Sequence, residues 1–170
     1  MYLRKAIKRG FVYGIIFGFL FAYKNTVPAG IVAGILFALI YFTFYLNLAN
    51  LHIRAVTKKS RGGACDVTQL CHERRSELNI SYNEAFNLCL NSLTLFKRPK
   101  ILKKDYEKGE IAANIKGSFM VSDQKIEFYL VKQEDKTLVR YLSRPLSGDI
   151  DFGKNLDNVE AINSFFKAYC

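Results

Sequence analysis

The sequence predicts a membrane-anchored α+β protein: an N-terminal two-helix transmembrane hairpin, then a small antiparallel sheet with helices packed on one face. Three observations carry this reading. Two uncharged apolar runs, Phe11 to Tyr23 and Val27 to Leu51, lie close together near the N-terminus. The chain's basic excess surrounds those runs. Beyond Ile101 the apolar residues change from helical spacing to alternation. At 170 residues there is room for one ordinary domain, or for a small domain plus an anchor, but not for a multidomain enzyme. A composition that is half apolar also argues against disorder, a collagen-like chain or a disulfide-stapled miniprotein.

A bilayer core of ~30 Å needs about 20 helical residues at ~1.5 Å each. The second run, 25 residues without a charge, meets that need directly. The first has only 13 and spans if the stems of Lys8, Arg9 and Lys24 reach out to the interface. The expected spans are about 8–24 and 28–50, in a hairpin covering 1–51. Between them, Asn25, Thr26, Pro28 and Gly30 supply the breakers of a tight turn. A cleaved signal peptide is the competing reading of the first run, since Val27-Pro28-Ala29 resembles a processing site. Lys24 and Asn25 interrupt the approach to it. Tyr13, Tyr23, Tyr41 and Tyr45 suit interfacial anchoring.

The net charge of +10 would suit a nucleic-acid binder if it were spread over the chain. It is not. Residues 1–61 hold nine basic residues and no acid, whereas 62–170 hold 16 basic residues and all 15 acids, a balance of +1. The near-neutral remainder is a poor platform for DNA or RNA, and no nucleic-acid partner is expected. Four cations precede the first run (Arg4, Lys5, Lys8, Arg9) and four follow the second (Arg54, Lys58, Lys59, Arg61). Translocating such clusters is disfavoured, so both termini are expected in the cytoplasm, with the chain in a bacterial inner membrane. Residues 52–63 read as a basic juxtamembrane linker. In it Lys58, Lys59 and Arg61 are candidates for contact with lipid headgroups, beyond their role in topology.

Within the hairpin, Gly10, Gly14, Gly18 and Ala22 recur every four residues, and Gly30, Gly34 and Ala38 form a matching row. Such rows lie on one helix face and allow close backbone approach. They are expected to pack against each other within one hairpin, or alternatively to join copies or a larger integral-membrane protein. Neither apolar run contains Asp, Glu, Lys, Arg or His, which argues against a transport pathway.

Residues 64–170 read as a cytoplasmic α+β domain. Ser81 and Glu84 form the S-x-x-E capping box of a helix that runs to Lys97-Arg98-Pro99. The segment from Cys65 to Leu78 is ambiguous between a short helix and an extended arm. Alternation then marks strands at Ile111–Ile115, Ile126–Val131 and Leu138–Ser143, with a further one from Ile101, separated by turns at Lys108-Gly109, Ser122-Asp123 and Glu134-Asp135-Lys136. A last helix, Leu156 to Tyr169, has a stripe of Val159, Ile162, Phe165, Phe166 and Tyr169. The order α-β-β-β-(β)-α resembles helix-grip or small lipoprotein-like α+β modules.

Candidate chemistry is sparse. A zinc site would need Cys65, Cys71, His72 and Cys89, but C-x5-C-H-x16-C lacks the close pairs of structural sites. Two histidines, His52 and His72, offer little general-base capacity, and no nucleophile elbow or Walker loop is present. Lys154-Asn155 at a helix start lacks the glycine loop that would wrap a phosphate. Asp151 and Asn155 are instead expected to cap that helix, with Gly153 easing the bend. Ser143-Arg144-Pro145, Asp151-Phe152-Gly153-Lys154-Asn155 and Asn158-Val159 resemble the closing segment of uncharacterised bacterial membrane-anchored α+β proteins, S-x-P followed by D-x-G-K-N-x-x-N-V. That resemblance implies a fold and no activity. The functional expectation is a non-enzymatic accessory or scaffold subunit of an inner-membrane complex, without a cofactor, with membrane lipids and a larger integral-membrane protein or a second copy as partners. The alternative is a membrane-tethered lipid or small-molecule binding module with a cavity that Phe119, Met120, Phe128, Tyr129 and Phe165 could line, although their leading reading is ordinary core.

Overall fold

The computed structural model describes residues 2–59, 70–118, 121–148 and 150–169, apart from the Lys59 side chain. The chain divides into two compact units, Met1–Arg54 and Ala55–Cys170.

In the first unit, helix α1 spans Tyr2–Lys24 and helix α2 begins at Val27 and continues to Lys59. Asn25 closes α1, its N–H donating to the Ala22 carbonyl (3.3 Å) and its Nδ2 to that of Phe21 (3.0 Å). Gly30 N–H donates to the Thr26 carbonyl (3.0 Å), and Pro28 sits in the first turn of α2, where a missing N–H costs nothing. Both helices are long and apolar enough to cross a membrane. Only 17% and 11% of their most apolar stretches are buried, whereas a core helix of a water-soluble protein would hide that surface. They are candidate transmembrane helices.

Of the expected linker at 52–63, residues 52–59 continue α2 as helix, and 60–63 lie outside the described residues. At ~1.5 Å per residue, the 33 residues of α2 reach about 50 Å, longer than a ~30 Å apolar core. Hydropathy falls at His52 and Arg54, but no Gly or Pro follows until Gly62, so the helix outlasts its apolar stretch.

The second unit carries a five-stranded antiparallel sheet with two helices on one face. Its elements are β1 His72–Leu78, α3 Tyr82–Ser92, a single 3₁₀ turn Leu93–Leu95, β2 Lys100–Asp105, β3 Glu110–Ile115, β4 Gln124–Lys132, β5 Thr137–Pro145 and α4 Lys154–Tyr169. The order across the sheet is β1-β5-β4-β3-β2. Strands β2 to β5 meander, and β1 closes the far edge beside β5, in register from His72↔Ser143 to Leu78↔Thr137.

The first strand thus makes residues 72–78 of the ambiguous segment extended and adds a strand ahead of the expected order, while residues 65–69 lie outside the described residues. The capping box is present: Ser81 Oγ accepts from Glu84 N–H (3.3 Å), and the Glu84 carboxylate accepts from Ser81 N–H (3.0 Å). Ser81 Oγ–H also donates to that carboxylate (2.7 Å), and this bond, with the one from Ser81 N–H, holds the Glu84 carboxyl below its ordinary pKa. The α-helix stops at Ser92, earlier than the sequence pattern implies. Ser92 Oγ bonds the Cys89 carbonyl and Thr94 Oγ1 that of Asn91, both at 2.7 Å, and the last turn tightens to 3₁₀.

The core lies between sheet and helices. Phe86, Cys89 and Leu93 from one helix and Val159, Ile162 and Phe166 from the other meet Ile111, Ile126, Phe128, Leu130, Val139 and Tyr141. Tyr141 packs edge-on against Phe166 (centroids 5.3 Å apart), and its hydroxyl donates to Asn163 Oδ1 (3.1 Å). Gly109 (φ +66°) turns the β2–β3 hairpin where an added β-carbon would collide with the Leu130 carbonyl.

Candidate interaction surfaces

The small-residue rows meet across the hairpin seam. A β-carbon added at Gly14 would lie 2.7 Å from the Gly34 carbonyl oxygen and 2.8 Å from Ala38 Cβ. At Gly18 it would lie 2.8 Å from the Gly30 carbonyl oxygen, at Gly34 2.7 Å from that of Gly14, and at Gly10 3.2 Å from that of Ala38. One at Gly30 would overlap Ala22 Cβ. Real β-carbons do not come as close as most of these distances, so the backbones touch because the side chains are missing.

The two flanks of the seam differ. One is closed by aromatic contacts, Phe17 on Phe37 (4.5 Å) and Tyr13 on Tyr41 (4.9 Å), with the Arg9 guanidinium 5.6 Å from the Tyr45 ring centre. The other is an open apolar groove of ≈ 350 Å³, floored by the small residues and walled by Phe11, Ile15, Phe19, Ile31 and Ile35. Of the three candidate headgroup residues, Lys58 is exposed near the end of α2; the side chain of Lys59, and Arg61, lie outside the described residues.

The S-x-P and D-x-G-K-N-x-x-N-V residues converge at the start of α4. Asp151 Oδ1 accepts from Gly153 N–H (3.0 Å), and its Oδ2 accepts from Asn155 N–H (3.0 Å) and Asn155 Nδ2 (2.7 Å). Gly153, at φ +74°, makes the bend into the helix. Ser143 Oγ donates to Asn155 Oδ1 (2.7 Å), and Asn158 Nδ2 reaches both Ser143 Oγ and Gln124 Oε1 at 3.1 Å. Asp151, Asn155, Asn158, Ser143 and Gln124 are all buried. The motif is therefore a polar latch between α4 and the ends of β4 and β5, closed to solvent. Asp151 is legible as a cap, whereas Asn155, expected to cap, lies inside α4 and bonds Asp151 and Ser143; Gln124 carries no sequence signal as the partner of Asn158.

The cysteines are placed apart in character. Cys89 is buried in the core, and burial pushes its thiol well above the usual range. Cys71 is exposed; partial desolvation raises its pKa, against the opposing Arg144 charge. Cys65 and Cys170 lie outside the described residues. Among the described residues, no group of three or more His, Cys, Asp or Glu is placed to hold a metal.

Of the residues read as ordinary core or, alternatively, as a cavity lining, Phe128 is core and Phe165 packs against it, and only the cavity alternative needs correction. Phe128 faces the helices at the sheet centre, 6.3 Å from the Tyr141 ring. Tyr129, next in the strand, points to the opposite face, its ring 4.6 Å from the Arg140 guanidinium. The two cannot line one cavity, and Phe119 and Met120 lie outside the described residues.

That opposite face of the sheet is laced with charge. Glu127 lies between Lys125 (2.8 Å) and Arg144 (2.9 Å). Burial opposes its ionisation, but those two hydrogen bonds outweigh it and hold the carboxyl below the usual range. Arg140 lies 3.8 Å from Glu73, and Lys103 pairs with Glu110.

No known protein family and no curated protein matches the sequence. Among solved structures, CalU16 from Micromonospora echinospora is similar with a TM-score of 0.45 and 14% identity, over 58% of this chain and 73% of that one. An uncharacterised protein from Bacillus thuringiensis gives 0.41 and 11%, over 58% and 93%. A protein from Thermobifida fusca gives 0.37 and 10%, over 58% and 95%.

Proposed function

We propose that this chain is a non-enzymatic accessory or scaffold subunit of a bacterial inner-membrane complex, anchored by its helical hairpin with both termini in the cytoplasm. The observation that supports this most is the hairpin's asymmetry. One flank is filled by stacked rings, while the other leaves a groove with a glycine floor and Ile/Phe walls. A helix ridge of an integral-membrane partner, or of a second copy, can lie in such a groove at short interaxial distance. The charged sheet face and the solvent-sealed polar latch add to the reading, since most of their polar groups, Asn158 Oδ1 apart, are spent on holding the domain together.

The test is affinity purification of the full chain in mild detergent, followed by mass spectrometry of what accompanies it. A larger integral-membrane protein, or a second copy, is expected to co-purify. Replacing Ile15 and Ile31 on the groove wall by Ala is expected to weaken that recovery severalfold, while Phe37→Leu on the closed flank leaves it intact. Isolation as a lone monomer, indifferent to the groove-wall changes, overturns the proposal.

A further inference from the structure

We propose that the outer edge of the sheet, from Leu95 to Lys104, is a docking surface for an anionic phospholipid bilayer; this rests on the reading of the chain as membrane-anchored. Residues 97–104 are exposed one after another, although β2 is hydrogen-bonded to β3 along one side. Leu95, Ile101 and Leu102 are 48%, 50% and 50% exposed, a cluster of aliphatic side chains on the edge of a polar domain.

The cations around them are uncommitted. Lys97, Arg98, Lys100 and Lys104 make no ion pair among the described residues, whereas Lys103 is paired with Glu110 and Lys108 lies 4.0 Å from Asp105. No acid occurs between Glu84 and Asp105. Arg98, ahead of Pro99, has φ +51°, a left-handed conformation that costs energy for any residue with a β-carbon, at the bend leading into β2. Across β2, pairing skips between Ile101 and Lys103, so Leu102 sits at an irregularity outside the regular ladder.

Lysines and a bulge on an edge strand also guard against edge-to-edge pairing. That protection does not call for exposed Leu and Ile beside them. Unpaired cations interleaved with short aliphatic chains match the two layers of an anionic bilayer surface, phosphates outside and acyl chains just beneath. An acidic strand of a partner protein would use the cations but leave the aliphatic cluster in water.

The experiment places the full chain in nanodiscs of phosphatidylcholine, or of the same lipid with about one-quarter phosphatidylglycerol, and follows amide hydrogen exchange by mass spectrometry. Exchange across 97–104 is expected to slow by about tenfold or more in the anionic discs, and to recover in high salt. Changing Lys97, Lys100 and Lys104 together to Gln, or Leu102→Ser alone, abolishes the slowing while β4 and β5 exchange as before, which shows that the domain is still folded. Equal exchange in both discs overturns the proposal, as does protection that follows the number of chains per disc rather than lipid charge, which would assign the edge to a second copy. A chain that fails to enter discs at all refutes the anchoring itself, a result distinct from an inserted chain that ignores lipid charge.

Discussion

Asp151 shows how much one carboxylate can organise: three donors converge on it, and through Asn155 it reaches Ser143 in the sheet, which in turn meets Asn158 of α4 and, through it, Gln124. Losing an N-cap costs about 1–2 kcal/mol, and here truncation also strands buried donors. Asp151→Ala is therefore expected to cost at least ~2 kcal/mol in denaturant unfolding of the detergent-solubilised chain, and Ser143→Ala about 1 kcal/mol. Because Ser143 and Asn155 touch, a double-mutant cycle between them should be non-additive, and strict additivity would contradict the bond. Glu127 makes a pH-dependent contribution. Its carboxyl is held below the unfolded value by Lys125 and Arg144, so the stabilisation is complete above the ordinary carboxylate range and fades as pH falls through the depressed pKa. With Arg144 half exposed, the effect is about 1 kcal/mol or less. Glu127→Gln should lower stability at neutral pH and converge with the parent in acid, as read from unfolding midpoints at a series of pH values.

At the scale of elements, the hairpin was the most legible part of the sequence, because uncharged length and four-residue glycine spacing are direct statements about helices. The same glycines limit what their mutation can report. They face one another across the seam, so Gly14→Leu or Gly34→Leu must push α1 and α2 apart before any partner notices. Overpacking of this kind costs on the order of 1–3 kcal/mol, whereas Ile15→Leu on the groove wall should be nearly neutral. Crosslinking between cysteines placed at residues 13 and 41, now 4.9 Å apart as rings, should fall sharply with Gly14→Leu and hold with Ile15→Leu. An unchanged yield in the glycine variant would show that the backbones do not meet there. The strand His72–Leu78 was the least legible element. Only His72 and Leu78 are buried, and Arg74 on its helix-facing side pairs with Glu160 of α4 at 2.6 Å. An edge strand that borrows a helix's charge has no apolar alternation to read. The latch was half legible, since an Asp before a helix announces a cap, while Asn155 lies within the helix and Gln124 lies 34 residues from the Asn158 it meets.

For the whole molecule, the organising quantity is where charge lies along the chain rather than how much there is. Nine cations and no acid occupy residues 1–61, flanking both candidate spans, and the remainder is nearly neutral. Moving one positive charge outward against an inside-negative potential takes about 2.3 kcal/mol per 100 mV, and four cations stand on each side of the hairpin. Retaining both clusters inside avoids that work twice, which is the ground for the proposed orientation with both ends in the cytoplasm, a ground that does not depend on the fold of the second unit. The expected outcome is that alkaline carbonate leaves the chain with the membrane, and that protease added outside spheroplasts spares a C-terminal tag until the membrane is opened. Replacing Arg54, Lys58, Lys59 and Arg61 by Gln weakens one of the two anchoring clusters and should expose the tag in a measurable fraction of molecules. Neutralising Lys97, Lys100 and Lys104 should leave the tag protected, because those residues lie more than 40 positions beyond the apolar run and outside the reach of the orienting effect. A tag digested in intact spheroplasts of the unaltered protein would show that charge placement does not set this topology.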